Sequence, residues 1–119
     1  MVEMRQDAAD PTDLSIARTL AERVRCVLGD RVRKIILFGS RARGEARPES
    51  DFDLLVVLRE LAPVEARPVR LSLYRALRGA GVTAEPWVMA EEEFEETKSV
   101  VGGLAHPAFN EGVLLYENT

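Results

Sequence analysis

The sequence predicts an α/β (α+β) fold, a small mixed β-sheet of three to four strands with helices packed mainly on one face. Two observations lead to this prediction. Short continuous apolar runs, typical of strands buried on both faces, occupy residues 35–38 and 52–58. Stretches with apolar residues three or four positions apart, typical of amphipathic helices, precede and follow these runs. Elements that alternate in this way pack as layers around one core.

The first helix is predicted to begin near Pro11, where Thr12 and Asp13 offer capping oxygens and an early negative charge. We expect Gly29 to end it. Residues 1–10 are predicted to be a flexible tail and residues 11–119 a single domain, since a chain of 119 residues fits one domain. The apolar stripe of this helix consists of Leu14, Ala17, Ala21, Val24 and Leu28.

The remaining elements follow from local patterns. Residues 41–50 are polar and are predicted to form a loop, with one helical turn after Ser40. A second helix carries Pro68 in its first turn. The third strand, at residues 82–89, contains Pro86, which indicates an edge position or a bulge. We expect an acidic helix at residues 90–98, a final helical turn at 106–111 and a short strand at 113–116.

Composition limits the partners. A formal net charge of -4 argues against non-specific nucleic-acid binding, which needs clustered cations, so no direct nucleic-acid partner is expected. Cys26 is the single cysteine, so an internal disulfide is impossible and a reducing compartment is indicated. The sequence shows no signal-peptide core and no apolar run of membrane-spanning length. We therefore expect a cytoplasmic protein without a membrane partner.

Two carboxylates stand at the entrance of the second predicted strand. Side chains two positions apart on a strand point to the same face, so Asp51 and Asp53 are expected to project together. Two like charges on one face repel each other, and a divalent cation relieves that repulsion. Mg²⁺ fits such a site because it takes one or two carboxylates and completes its shell with water and substrate phosphates.

The first predicted strand ends at Gly39-Ser40, where a glycine permits close approach of a ligand and the serine adds a donor. Backbone N–H groups at such a strand end attract phosphates. Arg41, Arg43 and Arg47 follow and form a local positive patch. A Gly-Ser turn or an isolated Asp-x-Asp is more often structural than functional. Here a short arginine-rich loop joins the two, and that conjunction favours a metal–nucleotide site.

The residues 39–44, Gly-Ser-Arg-Ala-Arg-Gly, followed by Ser-Asp-Phe-Asp-Leu at 50–54, resemble the signature of the DNA polymerase beta nucleotidyltransferase superfamily. The chain is more closely similar to minimal nucleotidyltransferases (MNT), the antitoxins of bacterial MNT–HEPN toxin–antitoxin pairs. The resemblance extends from about residue 14 to residue 116. It implies a nucleotidyltransferase fold, a nucleoside triphosphate substrate, normally ATP, and a magnesium requirement.

The resemblance also implies roles for individual residues. Asp51 and Asp53 would bind the metal, and Gly39, Ser40 and Arg43 would bind the phosphates. The family places a third carboxylate, usually aspartate, on the following strand, and the matching residue here is Glu85. Composition alone favours Glu85 as a solvent-facing edge residue, whereas the resemblance makes it a catalytic metal ligand. Its extra methylene displaces the carboxylate, so a weakened activity is expected.

Three functions stay open on this basis. The leading one is an antitoxin that transfers AMP from ATP (AMPylation) to a tyrosine of a HEPN ribonuclease toxin and so neutralises it. The second is a transferase acting on a small molecule such as an aminoglycoside. The third is a catalytically weak nucleotide-binding antitoxin that acts by binding alone, which the glutamate at position 85 keeps open.

Overall fold

A computed structural model describes residues 8–118 of the chain. Within the predicted tail, residues 1–7 lie outside the described part. Ala9 is buried, and the side chain of Asp10 caps the first helix by accepting hydrogen bonds from the amides of Thr12 and Asp13. The assignment of residues 1–10 as a tail stays a prediction.

The elements follow one another in the predicted order, with bounds that differ by a few residues. Gly29 has a φ of 55° and ends the first helix, as the sequence predicts. The predicted helical turn after Ser40 is present. The helices are α1 (Pro11–Leu28), α2 (Ser40–Arg43), α3 (Ala66–Leu77), α4 (Glu91–Thr97) and α5 (Ala105–Glu111), and the strands are β1 (Val32–Phe38), β2 (Phe52–Leu58), β3 (Ala84–Ala90) and β4 (Val113–Glu117).

The four strands form one mixed sheet in the order β3-β2-β1-β4. Strand β1 pairs antiparallel with β2 and with β4, while β2 pairs parallel with β3. Pro86 lies in the edge strand β3. An edge strand tolerates proline, because the missing N–H removes no hydrogen bond between two inner strands. The edge position predicted for this proline is therefore confirmed. Strands β1 and β2 occupy the middle of the sheet and are almost continuously buried.

The sheet separates two apolar clusters. The larger one lies under the long helices α1 and α3, and its members include Leu20, Leu73 and Leu54 of β2. The smaller one lies on the opposite face, where Phe94 of α4 packs with Leu55. The predicted fold class is confirmed, with the two long helices on one face and the short helices α4 and α5 on the other. None of the helices described between residues 8 and 118 is long and apolar enough to cross a membrane.

Alternation along β2 determines which side chains reach each cluster. Phe52 and Leu54 belong to the larger cluster under α1 and α3, while Leu55 belongs to the smaller one. Asp53 lies between Phe52 and Leu54, so its side chain projects from the opposite face. In register, Asp53 stands between Phe38 of β1 and Glu85 of β3. The sheet thus brings a predicted aspartate and the predicted third carboxylate onto neighbouring strands.

Candidate active site

The glycine turn that follows β1 lies directly against the Asp53 carboxylate. Gly39 has a φ of 81°, a conformation that glycine adopts far more easily than other residues. A Cβ atom placed on Gly39 would stand 2.5 Å from Oδ2 of Asp53. The carbonyl of Gly39 accepts hydrogen bonds from the amides of Ala42 and Arg43, which starts the short helix α2. The glycine turn and the aspartate pair, separate in the sequence, therefore form one site.

Asp53 is half-buried and Asp51 is exposed at the start of β2. The pKa of Asp53 is raised, first by burial and then by the negative charges of Asp51 and Glu85. A hydrogen bond from Trp87 and the positive charge of Arg43 act in the opposite direction. Asp53 is thus close enough to Asp51 and to Glu85 to be repelled by both, and a cation placed among them would relieve that repulsion.

Glu85 is held by two side chains that sequence reasoning did not single out. Nη2 of Arg70 donates to Oε2 of Glu85 at 2.7 Å, and the hydroxyl of Tyr74 donates to the same oxygen. Arg70 and Tyr74 lie four positions apart on α3, on the opposite side of the sheet from the face that carries Asp53. Their side chains reach Glu85 around the β3 edge.

The guanidinium of Arg70 makes several further contacts at this edge. Its Nε donates to the carbonyl of Pro86 at 2.6 Å, and its Nη2 also lies 3.3 Å from the hydroxyl oxygen of Tyr74. It stacks on the Trp87 ring at 4.0 Å from the ring centroid. Trp87, for which the sequence left edge packing and a place in the nucleotide pocket open, is partly buried against the smaller cluster. In the sequence, the spacing of Arg70 and Tyr74 indicates only that they share one helix face. It does not indicate that they bind Glu85.

Arg43 lies near the site but is already paired. Its guanidinium bonds Glu45 at 2.9 Å and Glu111 at 3.3 Å, and its side chain is 40% exposed. The pKa of Arg43 is raised, mainly by the hydrogen bond with Glu45. Since both pairs are open to solvent, they are weak, and a phosphate could replace them.

Arg41 differs from the sequence interpretation, which placed it in a positive patch for phosphates. Its guanidinium is turned inward, where Nη1 pairs with Asp13 at 3.1 Å, and the two side chains are only 12% and 13% exposed. It also donates to the carbonyls of Pro48 and Ser50 and lies over the Phe52 ring. Arg41 therefore ties helix α1 to the loop that leads into Asp51, and of the three arginines only Arg43 and Arg47 are exposed.

We expect Arg41→Ala to lower the free energy of unfolding by about 3 kcal/mol, because it leaves a largely buried carboxylate and two carbonyls without their partner. Arg47→Ala, at an exposed position of the same loop, is the control and should change it by less than about 0.5 kcal/mol. Urea denaturation followed by circular dichroism measures both. Equal midpoints for the two variants would show that the Arg41 contacts contribute nothing.

Two residues of the site have side chains that suit a hard divalent cation. Asp51 and Asp53 supply the oxygen ligands that Mg²⁺ prefers, and their mutual repulsion is what the ion would remove. Over residues 8–118, no group of three or more acid, histidine or cysteine side chains is arranged to hold a metal ion. The third expected ligand, Glu85, is instead bound to Arg70 and Tyr74.

Comparison with known proteins agrees with this geometry. A family model described as a nucleotidyltransferase domain matches residues 16–102, which is more than half of the chain and includes the glycine turn and all three carboxylates. The chain belongs to the nucleotidyltransferase family. The resemblance to this superfamily seen in the sequence is therefore confirmed.

One relative and several solved structures are similar to this nucleotidyltransferase domain. A protein of Methanocaldococcus jannaschii, assigned provisionally as a protein adenylyltransferase, is 32% identical over 54 residues, which make up 45% of this chain. The chain spans about half, 54%, of that relative's length. A structure of a protein from Sulfolobus solfataricus, provisionally assigned as a nucleotidyltransferase, matches with a TM-score of 0.61 and 24% identity, over 88% of this chain and 80% of the other.

Toxin–antitoxin complexes are among the similar structures. One, solved with AMP-PNP, matches with a TM-score of 0.57 and 17% identity, over 86% of this chain and 74% of the other. Another, from Shewanella oneidensis, contains a tri-AMPylated HEPN toxin with its MNT antitoxin and matches with a TM-score of 0.50 and 15% identity, over 88% and 73%. At these identities the likeness shows the shared fold.

Proposed function

We propose that this nucleotidyltransferase is a Mg²⁺-dependent protein adenylyltransferase that moves AMP from ATP to a tyrosine hydroxyl of a HEPN toxin and thereby neutralises it. The observation that carries the proposal is the contact between Gly39 and the Asp53 carboxylate, with Glu85 on the adjacent strand. It joins a turn suited to phosphates to carboxylates suited to a metal within one half-buried site.

Each residue has a defined role in the proposed reaction. Asp51 and Asp53 would hold Mg²⁺, which neutralises charge on the triphosphate. Gly39 leaves room for the Asp53 carboxylate beside the main chain. The turn at Gly39 and Ser40 would bind the outer phosphates, with the serine hydroxyl as a donor. Arg43 would exchange its exposed carboxylate partners for a phosphate oxygen, which places positive charge where negative charge develops. Glu85 would accept the proton of the attacking hydroxyl.

A protein acceptor is favoured over a small molecule by the similar proteins. The Methanocaldococcus relative is assigned provisionally as a protein adenylyltransferase, and one of the similar structures contains an AMPylated toxin bound to its antitoxin. The site itself agrees with an acceptor supplied from outside, because Asp51 is exposed and the nearby cleft is open. We therefore propose a HEPN toxin as the physiological partner and ATP as the donor.

The proposal is tested by incubating the protein with Mg²⁺, ATP labelled at the α-phosphate, and a HEPN protein encoded beside it. We expect label on a tyrosine of the HEPN protein and none with Asp51→Ala/Asp53→Ala. The control Glu92→Ala/Glu93→Ala removes two exposed acids from α4 and should label normally. Label that persists in the aspartate variant would refute the assigned site. Label on an added aminoglycoside but not on the HEPN protein would refute the assigned acceptor.

A second function has a specific observation in its favour. Arg70 and Tyr74 both donate hydrogen bonds to Oε2 of Glu85, so the carboxylate does not present both of its oxygens to the site. An antitoxin that binds nucleotide and toxin without transferring AMP would keep this arrangement. The same assay separates the two functions, since intact binding of the HEPN protein without any label on it supports the binding-only antitoxin.

A further inference from the structure

The hydroxyl of Tyr74 occupies a place beside Glu85 that an acceptor hydroxyl would need. Tyr74 donates its hydrogen bond to Oε2 of Glu85, the carboxylate proposed above to accept the acceptor's proton. Glu85 is paired in register with Asp53 on the next strand. The phenol oxygen therefore contacts the proposed base, and that base lies on the strand next to the proposed metal ligand Asp53.

The same hydroxyl is adjacent to positive charge and to open space. Nη2 of Arg70 lies 3.3 Å from the Tyr74 oxygen, within reach of a phosphate attached to it. Tyr74 also lines a cleft of about 450 Å³, together with Arg67, Arg70 and Trp87. That volume is in the range of small-ligand pockets, and the cleft offers two guanidinium groups and an indole ring. These groups suit an adenylyl group bound to the tyrosine.

Tyr74 also has the base that the reaction requires in direct contact. A neutral phenol is a weak nucleophile, so attack requires a base in hydrogen-bond contact. Glu85 meets that geometric requirement without any movement of the chain.

We propose that Tyr74 is an internal acceptor and that the protein adenylylates itself at this residue, an inference that rests on the proposed adenylyl transfer. The Tyr74 oxygen attacks the α-phosphorus of ATP and forms a new O–P bond. The bond between the α-phosphorus and the oxygen that bridges to the β-phosphorus breaks, and pyrophosphate leaves. The phenol proton passes to the Glu85 carboxylate. The step converts tyrosine and ATP into adenylyl-tyrosine and pyrophosphate and requires no other reactant.

Self-modification has a consequence for the site. An adenylylated Tyr74 no longer has a proton to donate to Glu85, and its phosphodiester competes for Arg70. The carboxylate of Glu85 then loses both of its partners together. A carboxylate released in this way is free to accept the proton of an external acceptor hydroxyl. The modification would therefore activate the enzyme rather than inactivate it.

The chain offers a clean test because it contains two tyrosines, Tyr74 and Tyr116. The whole protein is incubated with Mg²⁺ and ATP, without a partner, and analysed by intact mass and peptide mass spectrometry. We expect an increase of one adenylyl group, located on Tyr74. The adduct should be lost in Tyr74→Phe and in Asp51→Ala/Asp53→Ala, and retained in the matched control Tyr116→Phe.

A mixing experiment tests whether the transfer occurs within one molecule. Tyr74→Phe, which keeps the aspartates, is mixed with Asp51→Ala/Asp53→Ala, which keeps Tyr74. No adduct is expected on either variant, and an adduct on the aspartate variant would overturn the intramolecular assignment. In the wild-type protein, an adduct on another residue, or none at all, overturns the proposal. If an added HEPN protein is still labelled in that case, the proposed function stands without self-modification, whereas no label anywhere overturns both.

Discussion

Replacing Asp53 with asparagine is expected to reduce adenylyl transfer by at least about a thousandfold, equivalent to about 4 kcal/mol of activation free energy. Asp53 is the acid that touches the glycine turn and faces Glu85, so it stands at the centre of the proposed site. Asparagine preserves the shape of the side chain but removes the negative charge that would hold the metal.

The same substitution should stabilise the folded protein at neutral pH. Burial and the charges of Asp51 and Glu85 raise the pKa of Asp53 above its ordinary value in the fold. Ionised Asp53 therefore destabilises the folded state at any pH above that raised pKa. Below the ordinary pKa the carboxyl is protonated in both states, and the advantage of asparagine disappears. The difference in melting temperature should thus grow as pH rises from the ordinary pKa through the raised one.

Thermal unfolding with and without Mg²⁺ measures both the destabilisation by ionised Asp53 and its relief by the metal ion. Mg²⁺ should raise the melting temperature of the wild-type protein, because a ligand that binds only the folded state stabilises it. Asp53→Asn should lose most of that increase, while Asp30→Asn, at an exposed acid after α1, should retain it. An Asp53→Asn variant that is less stable than the wild type without Mg²⁺ would contradict the repulsion inferred among the three acids.

Local patterns were sufficient to predict those parts of the site that depend on one strand or one turn. The two aspartates could be expected to project together because strand alternation is a property of the backbone, and the charge of Asp51 does act on Asp53. The glycine turn could be placed after β1 because it directly follows a continuous apolar run. The sequence signature then linked the two, and the structure places Gly39 against Asp53.

Contacts that pass around the sheet edge could not be predicted in this way. Arg70 and Tyr74 reach Glu85 only because β3 is an edge strand and α3 crosses beside it, and neither fact is encoded in a local pattern. Arg41 illustrates the same limit, since its guanidinium pairs with Asp13 from a different helix. From the sequence alone, an arginine in a polar loop is expected to be free to bind phosphates. Only the structure shows that Arg41 is already paired with Asp13.

Gly39→Ala is expected to reduce transfer by about a hundredfold, because its new methyl group would displace the Asp53 carboxylate. The Cβ would stand 2.5 Å from Oδ2 of Asp53, and the main chain has a φ of 81° at this residue. With a ψ of -159°, this conformation is nearly restricted to glycine and costs another residue about 1 to 3 kcal/mol. The clash with Asp53 should add about 1 kcal/mol to the loss of unfolding free energy.

Gly79→Ala is the matched control, since Gly79 has a φ of 78° and no atom within 4 Å of the position that a Cβ would take. Comparing its effect on the urea midpoint with that of Gly39→Ala corrects for the cost of a positive φ and isolates the larger part of the clash with Asp53. Transfer by Gly79→Ala should remain near the wild-type rate. If both variants lose stability equally and transfer AMP equally well, close approach of the turn to Asp53 has no part in the chemistry. If only Gly39→Ala fails, and Mg²⁺ no longer raises its melting temperature, the glycine is required to position a metal ligand.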